Sequence, residues 1–220
     1  MPRLGLLGGT FDPVHFGHLR PAVEIKAALG LDELALIPCR VSPHRDMPAA
    51  SAGQRLAMLE ASTAGMSDLS IDARELDREG PSYTIDTLME IAAERPDTRL
   101  YLIIGADACA AFERWHRWSE ILELANLVVS QRPGWPLTIP DGLAPCRVER
   151  AADLHRRAVG GLLVQSVTQL EISASAIRGL AAEGADLRYL VPEPVRALIN
   201  QHQCYATTEY TRPDGDRSTG

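Results

Sequence analysis

The 220-residue sequence predicts an α/β domain, a doubly wound parallel sheet with helices on both faces and a small helical part at the C-terminal end. Three observations predict it. Short apolar runs alternate with segments whose apolar residues recur at helical spacing. The first run feeds a glycine-rich turn and then a helix, as in a right-handed βαβ unit. A hydrophobic fraction of 45% supports one sizeable core.

Arg3 to Leu7 is apolar enough for a buried strand, and Pro21 to Leu29 carries helical spacing that stops at Gly30. Leu34 to Pro38 is the second strand, followed by a proline-rich loop from Cys39 to Gly53. Gln54 to Ala64 reads as helix and Leu69 to Asp72 as strand. Tyr83 to Glu94 reads as helix, with Ser82 or Thr84 as its cap. Arg99 to Ile104 is the strongest central strand, and Gly105 marks its passage into a functional loop. Trp118 to Leu124 then reads as helix, Leu127 to Ser130 as strand and Gly134 to Pro145 as irregular chain. Leu162 to Val167 is a late strand, Ser173 starts a helix toward Ala182, and Glu193 to His202 closes a Rossmann-like arrangement. Residues 1–203 form the expected domain. Residues 204–220, polar and without period, are expected to be a disordered tail.

No apolar run approaches the roughly 18 residues of a membrane span. The N-terminus lacks the basic start and cleavage site of a signal peptide, so a cytoplasmic protein is expected. Cys39, Cys109, Cys146 and Cys204 are scattered without a CxxC pair, which suggests neither a zinc site nor a disulfide framework. The net charge is −7, and Lys26 is the one lysine. Wrapping a nucleic acid needs a broad basic face, so any polyanion must bind locally.

The local candidate is Gly8 to His18, GGTFDPVHFGH. It lies where a parallel sheet presents the carboxyl ends of its strands, the usual ligand face of such folds. Neither GxxxxGK[ST] nor GxGxxG is present, so the turn is of another kind. Gly8 and Gly9 let backbone approach a ligand, and Thr10 adds a hydroxyl beside exposed N–H groups. Pro13 restricts the helix start to about Gly17 and His18, where the dipole and unpaired N–H groups favour an anion. His15 and His18 also fit HxxH metal binding, but a zinc site needs a third ligand and only Asp12 is near in sequence. Phosphate is the better reading.

These residues resemble the nucleotidyltransferase superfamily marked by HxGH, here His15-Phe16-Gly17-His18, and within it the bacterial nicotinate-nucleotide adenylyltransferases. Eight further motifs follow in family order over residues 3–203: SPHR from Ser42, DxRE from Asp72, SYTxxTL from Ser82, GAD from Gly105, WxxW at Trp115 and Trp118, RPG from Arg132, ISASAIR from Ile172, and YLVPEPV from Tyr189. Two positions depart from the common pattern. Arg45 stands where lysine is frequent, keeping the charge, and Ala174 removes one hydroxyl from ISSTxIR.

The resemblance implies joining of nicotinate mononucleotide to ATP, with His15, His18 and Arg178 as catalytic residues. It implies ATP contacts from Gly8, Gly9, Thr10, Phe11, Arg45, Ile104, Gly105, Asp107, Ser173 and Ser175, although Ser173 reads equally as a plain helix cap. The mononucleotide would meet His44, Ser82, Tyr83, Thr84, Trp115 and Arg132, with Trp118 left to the core. Mg²⁺ would arrive on the ATP phosphates, since the sequence shows no carboxylate cage. The partners are then small molecules, without nucleic acid or membrane, and a homo-oligomer is compatible. The rivals are an adenylyltransferase acting on phosphopantetheine or on nicotinamide mononucleotide, or a nucleotide-binding regulator without turnover. SYTxxTL, WxxW and length argue against the phosphopantetheine enzyme, and intact His15, His18 and Arg178 against the regulator.

Overall fold

The computed structural model describes residues 1–41, 47–67, 69–131, 134, 136–168 and 170–206. Strands β1 (Arg3–Gly9), β2 (Glu33–Pro38), β3 (Leu69–Ile71), β4 (Arg99–Gly105), β5 (Ala125–Gln131), β6 (Arg147–Val148) and β7 (Leu162–Ser166) form one parallel sheet in the order β3-β2-β1-β4-β5-β7-β6. The order reverses between β1 and β4. That switch point is where a doubly wound sheet opens a crevice at the carboxyl ends of its strands.

Helices α1 (Phe16–Leu29), α2 (Ala52–Thr63), α7 (Ala174–Ala182) and α8 (Glu193–Gln201) cover one face. On the other lie α3 (Thr84–Glu94), α4 (Ala106–Ala110) and α5 (Trp118–Leu124). Strand β4 shows how the pleat serves both: Leu100, Leu102 and Ile104 enter the second core, and Tyr101 and Ile103 the first. Each fully buried leucine or isoleucine contributes about 1.5–3 kcal/mol. The two-sided burial explains why RLYLIIG is nearly continuous in apolar residues.

Several boundaries differ from the sequence expectation, each for a local reason. Strand β1 continues through Gly8 and Gly9, which pair with Ile37 and Pro38, so the turn begins only at Thr10. Helix α1 opens at Phe16, with His15 as its N-cap, slightly before the expected Gly17. Neither Ser82 nor Thr84 caps α3; Tyr83 occupies that position without a side-chain cap bond. Gly105 leads into no loop, because it is itself the N-cap of α4. Strand β5 begins two residues early because the buried Asn126 is satisfied: its Oδ1 accepts from the Gly161 N–H at 2.8 Å. Helix α6 (Ala151–Arg156) and strand β6 were not anticipated at all. The packed body also runs past the boundary expected at 203, since Cys204 is buried and Tyr205 hydrogen-bonds to Asp12.

Candidate active site

Strand β1 delivers the turn Thr10 to His15 to the switch point. The β1–β4 register pairs Leu7 with Ile103, which carries Gly9 to the level of Gly105. Gly8 is exposed, with nothing within 4 Å of where a Cβ would stand. Gly9 is required for a different reason: a Cβ there would lie 2.9 Å from the buried ring of Phe11, whose φ of 49° is left-handed. Thr10 is pinned from behind. Its carbonyl accepts from Arg55 Nη1 at 2.7 Å, and the same nitrogen donates to the Cys39 carbonyl at 2.7 Å.

The two histidines are brought face to face, with ring centroids 3.8 Å apart and planes inclined by 29°. Phe11 meets His18 edge-on at 5.1 Å. Gly17 makes this stack feasible, because a Cβ there would stand 2.8 Å from His15 Nδ1 and 3.0 Å from the Ile172 carbonyl oxygen. His15 is buried, and desolvation lowers its pKa to about 4, so its imidazole is neutral at physiological pH. Its Nδ1 has no hydrogen-bond partner among the described residues. The helix start is less free than the sequence suggests: the Phe16 N–H donates to the Leu190 carbonyl at 3.2 Å and the His18 N–H to the His15 carbonyl at 2.9 Å.

Arg178 reaches this turn from α7. Its Nη1 donates to the Asp12 carbonyl at 2.8 Å and stands 3.9 Å from Asp12 Oδ2, while Nη2 donates to Ser175 Oγ at 3.3 Å. Ser173 serves as the helix cap, its Oγ accepting from the Ala176 N–H at 3.1 Å. Asp12, 4% exposed, ties the neighbourhood together, accepting from the Ala49 N–H at 2.7 Å, the Ala50 N–H at 3.1 Å and Tyr205 Oη at 2.8 Å. His44, Arg45 and Arg132 lie outside the described residues.

At the end of β4, Ile104 is buried, while Gly105 and Asp107 are exposed, the latter in the first turn of α4. Beyond it Trp115 rests against Phe112 with centroids 5.1 Å apart, and Trp118 meets the same ring at 6.4 Å. Tyr83 packs on the exposed His116 at 4.5 Å, which joins the start of α3 to the Trp115 segment. A buried acidic hub holds that start in place. Glu75 accepts from Thr87 Oγ1 at 2.6 Å, Arg78 Nη1 donates to Thr87 Oγ1 at 3.0 Å, and the Ser82 N–H donates to the Val41 carbonyl at 3.3 Å. Burial pushes the Glu75 carboxyl above its usual range, opposed by the Thr87 hydrogen bond.

Asp12, Arg55, Glu75, Thr87, His116 and Tyr205 were missed as site-supporting residues. Asp12 sits inside the quoted motif, Glu75 ends DxRE and Thr87 lies in SYTxxTL, so a signal was present for those three. For Arg55 and Tyr205 there was none, because their partners are distant in sequence. Among the described residues no group of three or more His, Cys, Asp or Glu comes together to hold a metal ion. No helix among them is long and apolar enough to cross a membrane.

The cytidylyltransferase-like family model matches residues 6–180. The probable nicotinate-nucleotide adenylyltransferase of Aeromonas hydrophila is 46% identical over 93% of this chain and 97% of its own length. A protein of the same name from Pseudomonas putida is 45% identical over 92% of this chain and 94% of its own. The solved structure of the Plasmodium falciparum nicotinic acid mononucleotide adenylyltransferase complexed with NaAD superposes with a TM-score of 0.70 at 16% identity, covering 93% of this chain and 98% of that one, a likeness of fold.

Proposed function

We infer the activity of this chain from the family it belongs to, the nicotinate-nucleotide adenylyltransferases of the cytidylyltransferase-like group. It transfers the adenylyl group of ATP to nicotinate mononucleotide, giving nicotinate adenine dinucleotide and pyrophosphate in NAD biosynthesis. A phosphate oxygen of the mononucleotide forms a bond to the α-phosphorus of ATP, and the bond from that phosphorus to the pyrophosphate oxygen breaks. The second pKa of a phosphate monoester is about 6, so the attacking oxygen is already ionised at neutral pH and needs no general base. The protein's task is to hold two anions in line and to offset the charge that builds on the leaving group.

In this reading Gly9, Thr10, His15 and His18 hold the triphosphate, and Arg178 with Ser175 meets its outer phosphates. The observation that supports it best is the stack of the buried His15 on the partly buried His18, with His15 Nδ1 unpartnered among the described residues, in the same turn whose Asp12 carbonyl accepts from Arg178. A bound polyphosphate favours a protonated imidazole where the empty pocket does not. Gly105 and Asp107 take the adenosine, the carboxylate accepting from ribose hydroxyls. Trp115 stacks on the pyridine ring, and the N-terminus of α3 at Tyr83 and Thr84 faces its carboxylate. Ser82 holds that helix start. His44, Arg45 and Arg132 complete the set as sequence-based assignments. Mg²⁺ enters with ATP, on its phosphate oxygens, as part of the substrate. A cytoplasmic enzyme acting on small molecules fits this reading.

The test is pyrophosphate release from ATP with and without nicotinate mononucleotide. Release that depends on the mononucleotide is expected; release without it, or none with it, contradicts the assignment. The amide analogue, which cannot make the charge-assisted bonds to the α3 N-terminus, is expected to give a lower kcat/KM. Near-equal values for the two mononucleotides would remove that part of the reading.

A further inference from the structure

We propose that Tyr205 is a positioning residue for the ATP-phosphate site, acting through the Asp12 carboxylate to keep the charge of Arg178 available. The proposal rests on the reading that Arg178 and the first turn hold the phosphates of ATP. Tyr205 and Asp12 are 193 residues apart, and the phenol Oη donates to Asp12 Oδ1 at 2.8 Å. The same oxygen accepts from the Ala50 N–H, and Oδ2 accepts from the Ala49 N–H at 2.7 Å. Thus, among the described residues, three donors occupy the carboxylate and no cation hydrogen-bonds to it.

Arg178 is placed accordingly. Its Nη1 stands 3.9 Å from Asp12 Oδ2, beyond hydrogen-bond reach, and donates to the Asp12 backbone carbonyl at 2.8 Å. A buried carboxylate short of donors draws the nearest guanidinium into a close pair. Removing the phenol O–H leaves Oδ1 with one donor fewer; among the described residues Arg55 is held by the Thr10 and Cys39 carbonyls, and the guanidinium free to move onto the carboxylate is that of Arg178, 3.9 Å from Oδ2. The guanidinium then moves toward the carboxylate and surrenders the charge that a polyphosphate needs.

The backbone around Tyr205 is bent to bring the phenol there. Gln203 and Tyr205 both adopt left-handed φ, 48° and 70°, just after α8. For residues with a Cβ this conformation is uncommon and is retained only where surrounding contacts determine it. Here the contacts are the buried Cys204 side chain, the Cys204 N–H to the Ile199 carbonyl at 3.0 Å, and the phenol on Asp12.

Tyr205→Phe keeps the ring and removes only the donor. Its KM for ATP is expected to rise ~10-fold, the size of a lost hydrogen bond to a charged group, with KM for nicotinate mononucleotide within about twofold of wild type. Calorimetric ATP binding in an Arg178→Gln background separates positioning from general support. There Tyr205→Phe is expected to cause no further loss. An unchanged KM for ATP, an equal rise for both substrates, or the same loss of ATP binding in both backgrounds overturns the proposal, whatever happens to the melting temperature. Wild-type ATP binding by Arg178→Gln alone would instead overturn the phosphate-site reading, and the proposal with it.

Discussion

The imidazole of His15 lies stacked on that of His18, 3.8 Å between centroids, with Gly17 between them in sequence and too close to His15 Nδ1 to carry a side chain. The pair is therefore a rigid surface set by packing, and its two rings are not interchangeable: His15 is buried and neutral, His18 only partly covered.

In the proposed site His18 offsets charge on the leaving phosphates, and His18→Ala removes that ring. By analogy with loss of one stabilising donor, kcat is expected to fall by about 10²–10³. The melting temperature should stay within a few degrees of wild type, because His18 is only partly buried. Wild-type turnover at saturating substrates would contradict the role.

Gly17→Ala separates packing from helix propensity. Alanine favours a helix by about 1 kcal/mol over glycine, so propensity alone predicts a stabilised protein. The close approach to His15 Nδ1 and the Ile172 carbonyl predicts the opposite, a loss of roughly 1–3 kcal/mol together with reduced kcat. Urea denaturation decides the sign.

The pKa of His15 is depressed in the folded protein from 6.5 to about 4, so between those values the unfolded chain binds the extra proton. Stability from this group is whole above pH 6.5 and is lost as pH falls toward 4, by about 2 kcal/mol at pH 5. His15→Gln should therefore lose less stability than wild type between pH 7.5 and pH 5. Parallel pH profiles of the two melting temperatures would refute this.

Thr87→Val leaves the buried Glu75 without its 2.6 Å donor and Arg78 without one of its acceptors. A loss of about 2 kcal/mol is expected. Because this hub holds the start of α3, KM for nicotinate mononucleotide should rise while KM for ATP stays near wild type. A rise confined to ATP would place the two substrates the other way round.

Residue types and local periodicity were enough to determine the α/β class, most of the alternation of strand and helix, and a ligand-facing turn between the first strand and its helix, because each depends on interactions within a few residues, although the glycines proved to end the strand and the turn to begin at Thr10. The same local logic misread Gly105, since a strand can pass directly into a helix, and the cap role of Ser173 needed the Ala176 N–H brought onto its Oγ. Arg178 beside Asp12, Tyr205 on the Asp12 carboxylate and Arg55 beneath Thr10 were decided only by the tertiary structure. Their partners lie 166, 193 and 45 residues away, and a buried charge finds its donors or acceptors only once the sheet and its helices have closed around it.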